Sequence, residues 1–209
     1  MNETGFPKLS RKEREYLRHK EEILWAAEEV FSEKGYVSAT VDEIAQRAEF
    51  AVGTLYRFFE NKSELYSETV LTRMRMMERE IYAALQEGDS PAEKIRSYFG
   101  SRIELFWEYP RFFRLFFSGP LGTISDASLG FLPEILERYE RLLSELHGLF
   151  TEGVEQGGFA AYSPELLTLT MEGLLRTYVE KLSRRNKPSR NKKEEEELFQ
   201  IFLSGAASK

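Results

Sequence analysis

The chain has 209 residues, 42% of them hydrophobic and 31% charged, which fits one medium domain or a small domain joined to a larger one and excludes wholesale disorder. It has no cysteine and two histidines, His19 and His147. That composition excludes disulfides, thiolate metal sites and cysteine nucleophiles, and the net charge of −6 excludes a protein that coats nucleic acid by bulk charge.

Valine and isoleucine are sparse and no stretch alternates for long with period two, so the pattern is helical throughout. Ser10-x-x-Glu13 is a capping box opening a first helix that Gly35 closes, with Ile23, Ala26, Ala27, Val30 and Phe31 as its apolar stripe. Thr40-x-x-Glu43 opens a short second helix with Val41, Ile44, Ala45 and Ala48 on its inner face. After a turn at Glu49 and Phe50 comes a third short helix over residues 51–59, and Asn61-x-x-Glu64 starts a long one reaching about Gln86. Ser90-Pro91-x-Glu93 opens the next, with proline at the first helical position where its missing N–H costs nothing, and Pro110 ends it near Tyr109. Residues 110–117 read as a short helix, and residues 118–130, which hold Gly119, Pro120, Gly122 and Gly130, as a mobile loop. Helices over about 133–156, from a Ser163-Pro164 cap to before Pro188, and over roughly 192–204 bring the total to about nine. The expected class is all-α, with a three-helix domain and its basic N-terminal arm over residues 1–66 and a larger helical domain over 67–209.

Residues 40–62 carry the chemistry. Two short helices joined by a turn of about three to four residues form a helix-turn-helix, whose second helix enters the DNA major groove. At about 100° per residue, Ala51, Val52, Phe58 and Phe59 fall on the side of Leu55, while Gly53 and Arg57 point away, flanked by Thr54 and Tyr56. That outer face can approach a backbone at Gly53, donate to phosphates from Tyr56 and Arg57, and touch base edges from Thr54. Lys62, opening the next helix, adds an ammonium to a helix N-terminus and is expected to clamp a phosphate. The same spacing also fits three small amphipathic helices with ordinary solvated outer residues.

Sequence detail decides between the two. The run Ile23-Leu24-Trp25-Ala26-Ala27, Phe31, Gly35-Tyr36, Ala39-Thr40-Val41-Asp42-Glu43-Ile44-Ala45, Gly53-Thr54-Leu55-Tyr56-Arg57-Phe58-Phe59 and Asn61-Lys62-Ser63-Glu64-Leu65 closely resembles the N-terminal domain of the TetR family of transcriptional regulators. The resemblance covers about 45 residues in order and register. It implies that residues 51–59 are the recognition helix and that Thr40, Val52, Gly53, Thr54, Tyr56, Arg57 and Lys62 face the operator. One departure stands out: the family usually has a glycine-containing turn where this chain has Glu49-Phe50-Ala51, so Glu49 must take a strained backbone angle or an altered turn, at about 1 kcal/mol. Positive charge is local. Residues 1–62 hold ten Lys or Arg against twelve Asp or Glu, yet Lys8, Arg11, Lys12, Arg14, Arg18 and Lys20 meet only Glu13 and Glu15 in their stretch, a basic arm able to follow phosphates or lie in a minor groove.

Beyond about Leu65 the resemblance fades. Nine of the twenty residues 98–117 are aromatic, against 13% for the chain. These rings fit an aromatic core, but so many in one place also leave pockets. The family commonly binds small effectors in this domain. A site for an apolar or aromatic ligand is therefore expected among Phe99, Ile103, Phe106, Trp107, Phe113, Phe117, Phe150, Met171, Leu175 and Tyr178, with Arg102, His147 and Glu172 as polar candidates. Two-fold dimers reading two half-sites are the usual solution for a helix-turn-helix. The expected homodimer surface draws on Leu167, Thr170, Met171, Leu174, Leu175, Tyr178, Val179 and Leu182 and on Leu198, Phe199, Ile201, Phe202 and Leu203.

The reading is a ligand-responsive regulator, a repressor in most of the family, that binds a palindromic double-stranded operator and is released by a small effector. The alternative is an adaptor that keeps the fold while its second domain docks a protein, which an exposed apolar patch without an enclosed cavity would favour. No paired carboxylates, phosphate-cradling loop or nucleophile–base pattern suggests an enzyme, and no cofactor or metal is implied. No apolar run approaches the roughly 20 residues of a membrane span, and residues 1–10 lack a signal-peptide core, so cytoplasmic residence is expected.

Overall fold

The computed structural model describes residues 9–118, 132–186 and 188–206. Over these the chain is all-α, with α1 (Arg11–Ser38), α2 (Val41–Arg47), α3 (Val52–Leu55), α4 (Lys62–Ala84), α5 (Pro91–Glu108), α6 (Pro110–Ser118), α7 (Leu132–Glu155), α8 (Pro164–Ser183) and α9 (Lys192–Ala206). Two compact units result, Met1–Val70 and Leu71–Lys209. The expected loop over 118–130 falls, after Ser118, outside the described residues.

Local signals set the helix starts. At Ser10, Thr40 and Ser90 the hydroxyl accepts the backbone N–H of the glutamate three residues on, and that glutamate accepts the cap's own N–H, so two orphan donors are satisfied at each start. Asn61 caps α4 by accepting the Glu64 N–H at 2.9 Å. Ser163 precedes α8, but its hydroxyl makes no capping bond. Gly35, at φ 75°, breaks the regular winding of α1 three residues before its end.

In the first unit Ile23, Ala26, Ala27, Val30 and Phe31 of α1 pack with Ile44, Ala45, Leu55, Phe59, Leu65 and Tyr66. Ion pairs reinforce this: Arg47 forks between Glu29 at 3.1 Å and Glu33 at 3.2 Å, tying α2 to α1, and Lys34 meets Glu43 at 2.6 Å. In the second unit α7 packs on α8, α5 on both, α6 on α8, and α9 against α5 and α8. Its centre is Ile95, Tyr98, Phe106, Leu146, Phe150, Met171, Leu175 and Phe199.

Candidate functional site

The turn between α2 and α3 is a Schellman closure. Phe50 N–H donates to Ala45 O at 2.9 Å and Glu49 N–H to Gln46 O at 3.2 Å, which puts Glu49 at the left-handed position such closures reserve for glycine. Its φ is 60°, the one positive φ at a non-glycine among the described residues, so of the two outcomes expected for this glutamate the strained angle is the one found. The turn delivers α3, which is shorter than the 51–59 expected. Only Val52–Leu55 is α-helical, and the chain then winds tighter, Arg57 N–H reaching Thr54 O at 3.1 Å and Phe58 N–H reaching Leu55 O at 2.9 Å. This winding buries Leu55 and Phe59 beneath it and leaves Phe58 and Val52 half-buried, whereas Ala51, expected inside, is exposed.

The outer surface of this element holds Gly53, Tyr56 and Arg57 exposed and Thr54 half-buried. A Cβ added at Gly53 would meet nothing within 4 Å. Arg57 makes no ion pair among the described residues. Thr40, also exposed, spends an acceptor lone pair on Glu43 N–H at 3.2 Å and keeps its O–H proton for donation. Lys62 departs from expectation. Its ammonium donates to Val37 O at 3.1 Å and Ala39 O at 2.8 Å and lies 4.7 Å from the centre of the Tyr36 ring. It fastens the segment leading into α2 to the first turn of α4, in place of the free phosphate clamp expected there.

The basic arm is a continuation of α1 from Arg11. It is held to the helix-turn-helix by Tyr16 stacked on Phe58 at 4.7 Å and His19 edge-on to Phe50 at 5.1 Å. Arg18 pairs with Glu22 at 3.6 Å and Lys20 with Glu68 at 2.9 Å, while Arg11, Lys12 and Arg14 make no ion pair among the described residues.

The second unit contains a cavity of about 270 Å³. Met74, Met77, Glu78, Ile81 and Tyr82 of α4 line one side and Phe112, Phe113, Phe116 and Phe117 of α6 another. Ile135, Leu136, Arg138, Tyr139 and Leu142 of α7, with Arg102, Leu105, Glu172, Arg176 and Val179, complete it. Of the expected ligand residues, Arg102, Glu172, Phe113 and Phe117 are in this lining. The others lie elsewhere: Phe99 packs on Phe199 at 4.9 Å, Phe150 on Phe159 at 5.2 Å, and Ile103, Phe106, Met171, Leu175 and Tyr178 are buried in the core. Trp107 donates its indole N–H to Glu195 at 2.8 Å in the seam between α5 and α9, and His147 is exposed on α7. The walls from α4 and α7 were missed, although Met74, Met77, Ile81 and Tyr82, and likewise Ile135, Arg138, Tyr139 and Leu142, recur at helical spacing.

One end of the cavity is polar. The Tyr98 phenol donates to Glu172 and accepts from Arg102 Nη1 at 3.1 Å, and the same Nη1 is 3.7 Å from the other Glu172 oxygen. Burial pushes the Tyr98 phenol well above its ordinary value, the Arg102 charge opposing this and the Glu172 charge adding to it. Burial acts to lower the Arg102 pKa, but Glu172, Tyr98 and Tyr139 outweigh it and hold the guanidinium charged. At another part of the lining Arg138 bonds to both Glu78 and Glu134, and Arg75 reaches Glu134 at 3.1 Å, so those charges are mutually satisfied.

The expected homodimer stripe is mostly core: Leu167, Met171, Leu175, Tyr178, Val179, Leu182, Phe199 and Phe202 are buried within the unit. Of that stripe Thr170 and Ile201 are exposed, the latter 65% accessible, and α8 also exposes Leu166 and Leu169, which lay outside the expectation. Among the described residues no helix is long and apolar enough to cross a membrane.

Residues 23–69 match the family model of bacterial regulatory proteins of the tetR family. Over 151 residues the chain is 26% identical to the uncharacterized HTH-type transcriptional regulator YhgD of Bacillus subtilis, covering 71% of this chain and 76% of that protein. Among solved structures it is similar to the ketosteroid transcriptional regulator KstR2 of Mycobacterium tuberculosis, with a TM-score of 0.74, 19% identity and 91% and 95% of the two chains covered. It is also similar to the regulator FadR of Bacillus subtilis in complex with stearoyl-CoA, with a TM-score of 0.73, 21% identity and 88% and 98% covered. At these identities the structural likeness establishes the fold.

Proposed function

Because this chain belongs to the TetR family of bacterial regulatory proteins, and is thus a DNA-binding transcriptional regulator and not an enzyme, we propose that it is a ligand-responsive repressor. It binds a palindromic operator as a homodimer and lets go when a small apolar or aromatic effector enters the second unit. The observation that carries the DNA half is the unpaired outer surface of Gly53, Tyr56 and Arg57 on a buttressed turn, with Thr40 and Thr54 beside it. Val52 contributes its half-buried side chain, and Lys62 acts by holding the entry to α2.

The effector half is supported by the cavity, whose walls are chiefly methionine, leucine, isoleucine and phenylalanine. A FadR structure holding stearoyl-CoA makes an acyl-bearing ligand a natural first trial. The lining includes five residues of α4, the helix that begins at Lys62 in the first unit. An effector there biases the tilt of α4 and hence the separation of the two recognition elements. DNA demands about 34–36 Å, or a multiple, between half-sites, so a small shift breaks binding. This population shift requires different effector affinities in the two states. The homodimer is assigned to the apolar face left by α8 and α9, around Leu166, Leu169 and Ile201.

Selection of bound sequences from a random DNA pool, repeated with metabolite fractions added, tests the whole reading. Recovery of a palindrome that one fraction abolishes is expected. Recovery of no preferred sequence would leave the adaptor as the better account.

A further inference from the structure

Three arginines of this chain are each held between two acidic partners. Arg47 bridges Glu29 and Glu33, Arg138 bridges Glu78 and Glu134, and Arg190 bridges Glu104 and Glu195, each guanidinium serving two carboxylates. Arg102 has one. Its Nη1 is shared between the Tyr98 hydroxyl and Glu172, and Nε and Nη2 have no hydrogen-bond partner among the described residues. Those nitrogens are not fully buried, so they are not sealed in protein. Arg102 lines the cavity, and that is the space its unused donors are taken to serve.

We propose that Arg102 is the receptor for a carboxylate, and that the effector is a compact amphipathic acid whose anion lies inside the cavity while its apolar body lies among Met77, Ile81, Phe113 and Phe116. The proposal deepens the effector reading above and rests on it. A guanidinium presents N–H pairs matched to a carboxylate's two oxygens, and such charge-assisted bonds strengthen where water is thin. Glu172 does not forbid a second anion. One of its oxygens is engaged by Tyr98, and the cavity end also holds Arg176, an arginine without an ion pair among the described residues. Two cations there face one carboxylate. Tyr98 and Glu172 are positioning residues that fix the plane of the guanidinium. The cavity, at 270 Å³, lies just below the range of about 300–1,000 Å³ typical of small-molecule sites. A compact free acid therefore suits it better than a ligand whose anionic groups sit on a bulky head outside.

The test is calorimetric titration of the full chain with decanoate, methyl decanoate, decanol and decanoyl-CoA. Wild type is expected to bind decanoate at least about tenfold more tightly than the ester or alcohol, the worth of a hydrogen bond to a charged group. Arg102→Gln should erase that preference while leaving decanol affinity unchanged, Arg102→Lys should keep part of it, and Arg176→Gln should keep most of it. The wild-type comparison stands even if a variant misfolds. Binding of ester, alcohol and acid alike, preference for the CoA thioester, or loss of the acid preference in Arg176→Gln and not in Arg102→Gln would overturn the carboxylate assignment and leave the cavity as an apolar effector site. Failure of all four to bind would overturn the effector reading with it.

Discussion

Gly53 separates what the first unit needs to fold from what it needs to bind. A methyl there meets nothing, and alanine is favoured over glycine inside a helix by about 0.5–1 kcal/mol. Gly53→Ala is therefore expected to leave thermal stability equal or higher while weakening operator binding, because on the proposed reading the methyl fills space through which a DNA backbone approaches. Unchanged affinity in a fluorescence anisotropy titration would remove Gly53 from the interface. Arg57→Ala is expected to shift stability by less than about 0.5 kcal/mol, as an exposed side chain without an ion pair should, and to lower the slope of log affinity against log salt by about one. Glu49 is the opposite case, a residue whose cost is in folding. Glu49→Gly relieves the φ of 60° and is expected to stabilise by about 1 kcal/mol in denaturant titrations. No gain would mean that the left-handed angle is not strained here.

Helices were legible wherever a signature is short and fixed by the chain itself. Ser10, Thr40 and Ser90 with their glutamates three residues on make the capping boxes their spacing announces. The recognition element was legible in place but not in length, because whether residues 56–59 wind as α or tighter depends on burying Phe59 and starting α4 at Lys62. The cavity was the least legible. A period of 3.6 tells that a helix has one apolar face but not which neighbour it meets. The conspicuous rings of α5 went to the core and the α9 seam, while plain methionines and isoleucines of α4 and α7 form the walls. The basic stretch likewise became the first turns of α1. Removing residues 1–15 is expected to weaken operator binding and flatten its salt dependence. Arg11→Gln, Lys12→Gln and Arg14→Gln together should do the same while sparing the Ser10–Glu13 cap. Equal salt slopes would show these charges to be a solvated extension.

For the whole molecule, charge is a matter of placement. A chain of net charge −6 binds DNA only where its cations are neither neutralised internally nor far from the reading surface. In the first unit Arg18, Lys20, Lys34, Arg47 and Lys62 are engaged within the fold, leaving, among the described residues, Arg57 with Arg11, Lys12 and Arg14 of the arm. On the proposed reading, affinity comes from two copies acting together, joined at the exposed Leu166, Leu169 and Ile201. The most direct measurement is a hydroxyl-radical footprint on the selected operator, run with wild type and with Arg57→Ala at matched occupancy. Two protected patches about 10–10.5 base pairs apart, or a multiple of that, with protection at the centre of each weakened in Arg57→Ala, are expected. A single patch, or identical protection by both proteins, would contradict the account.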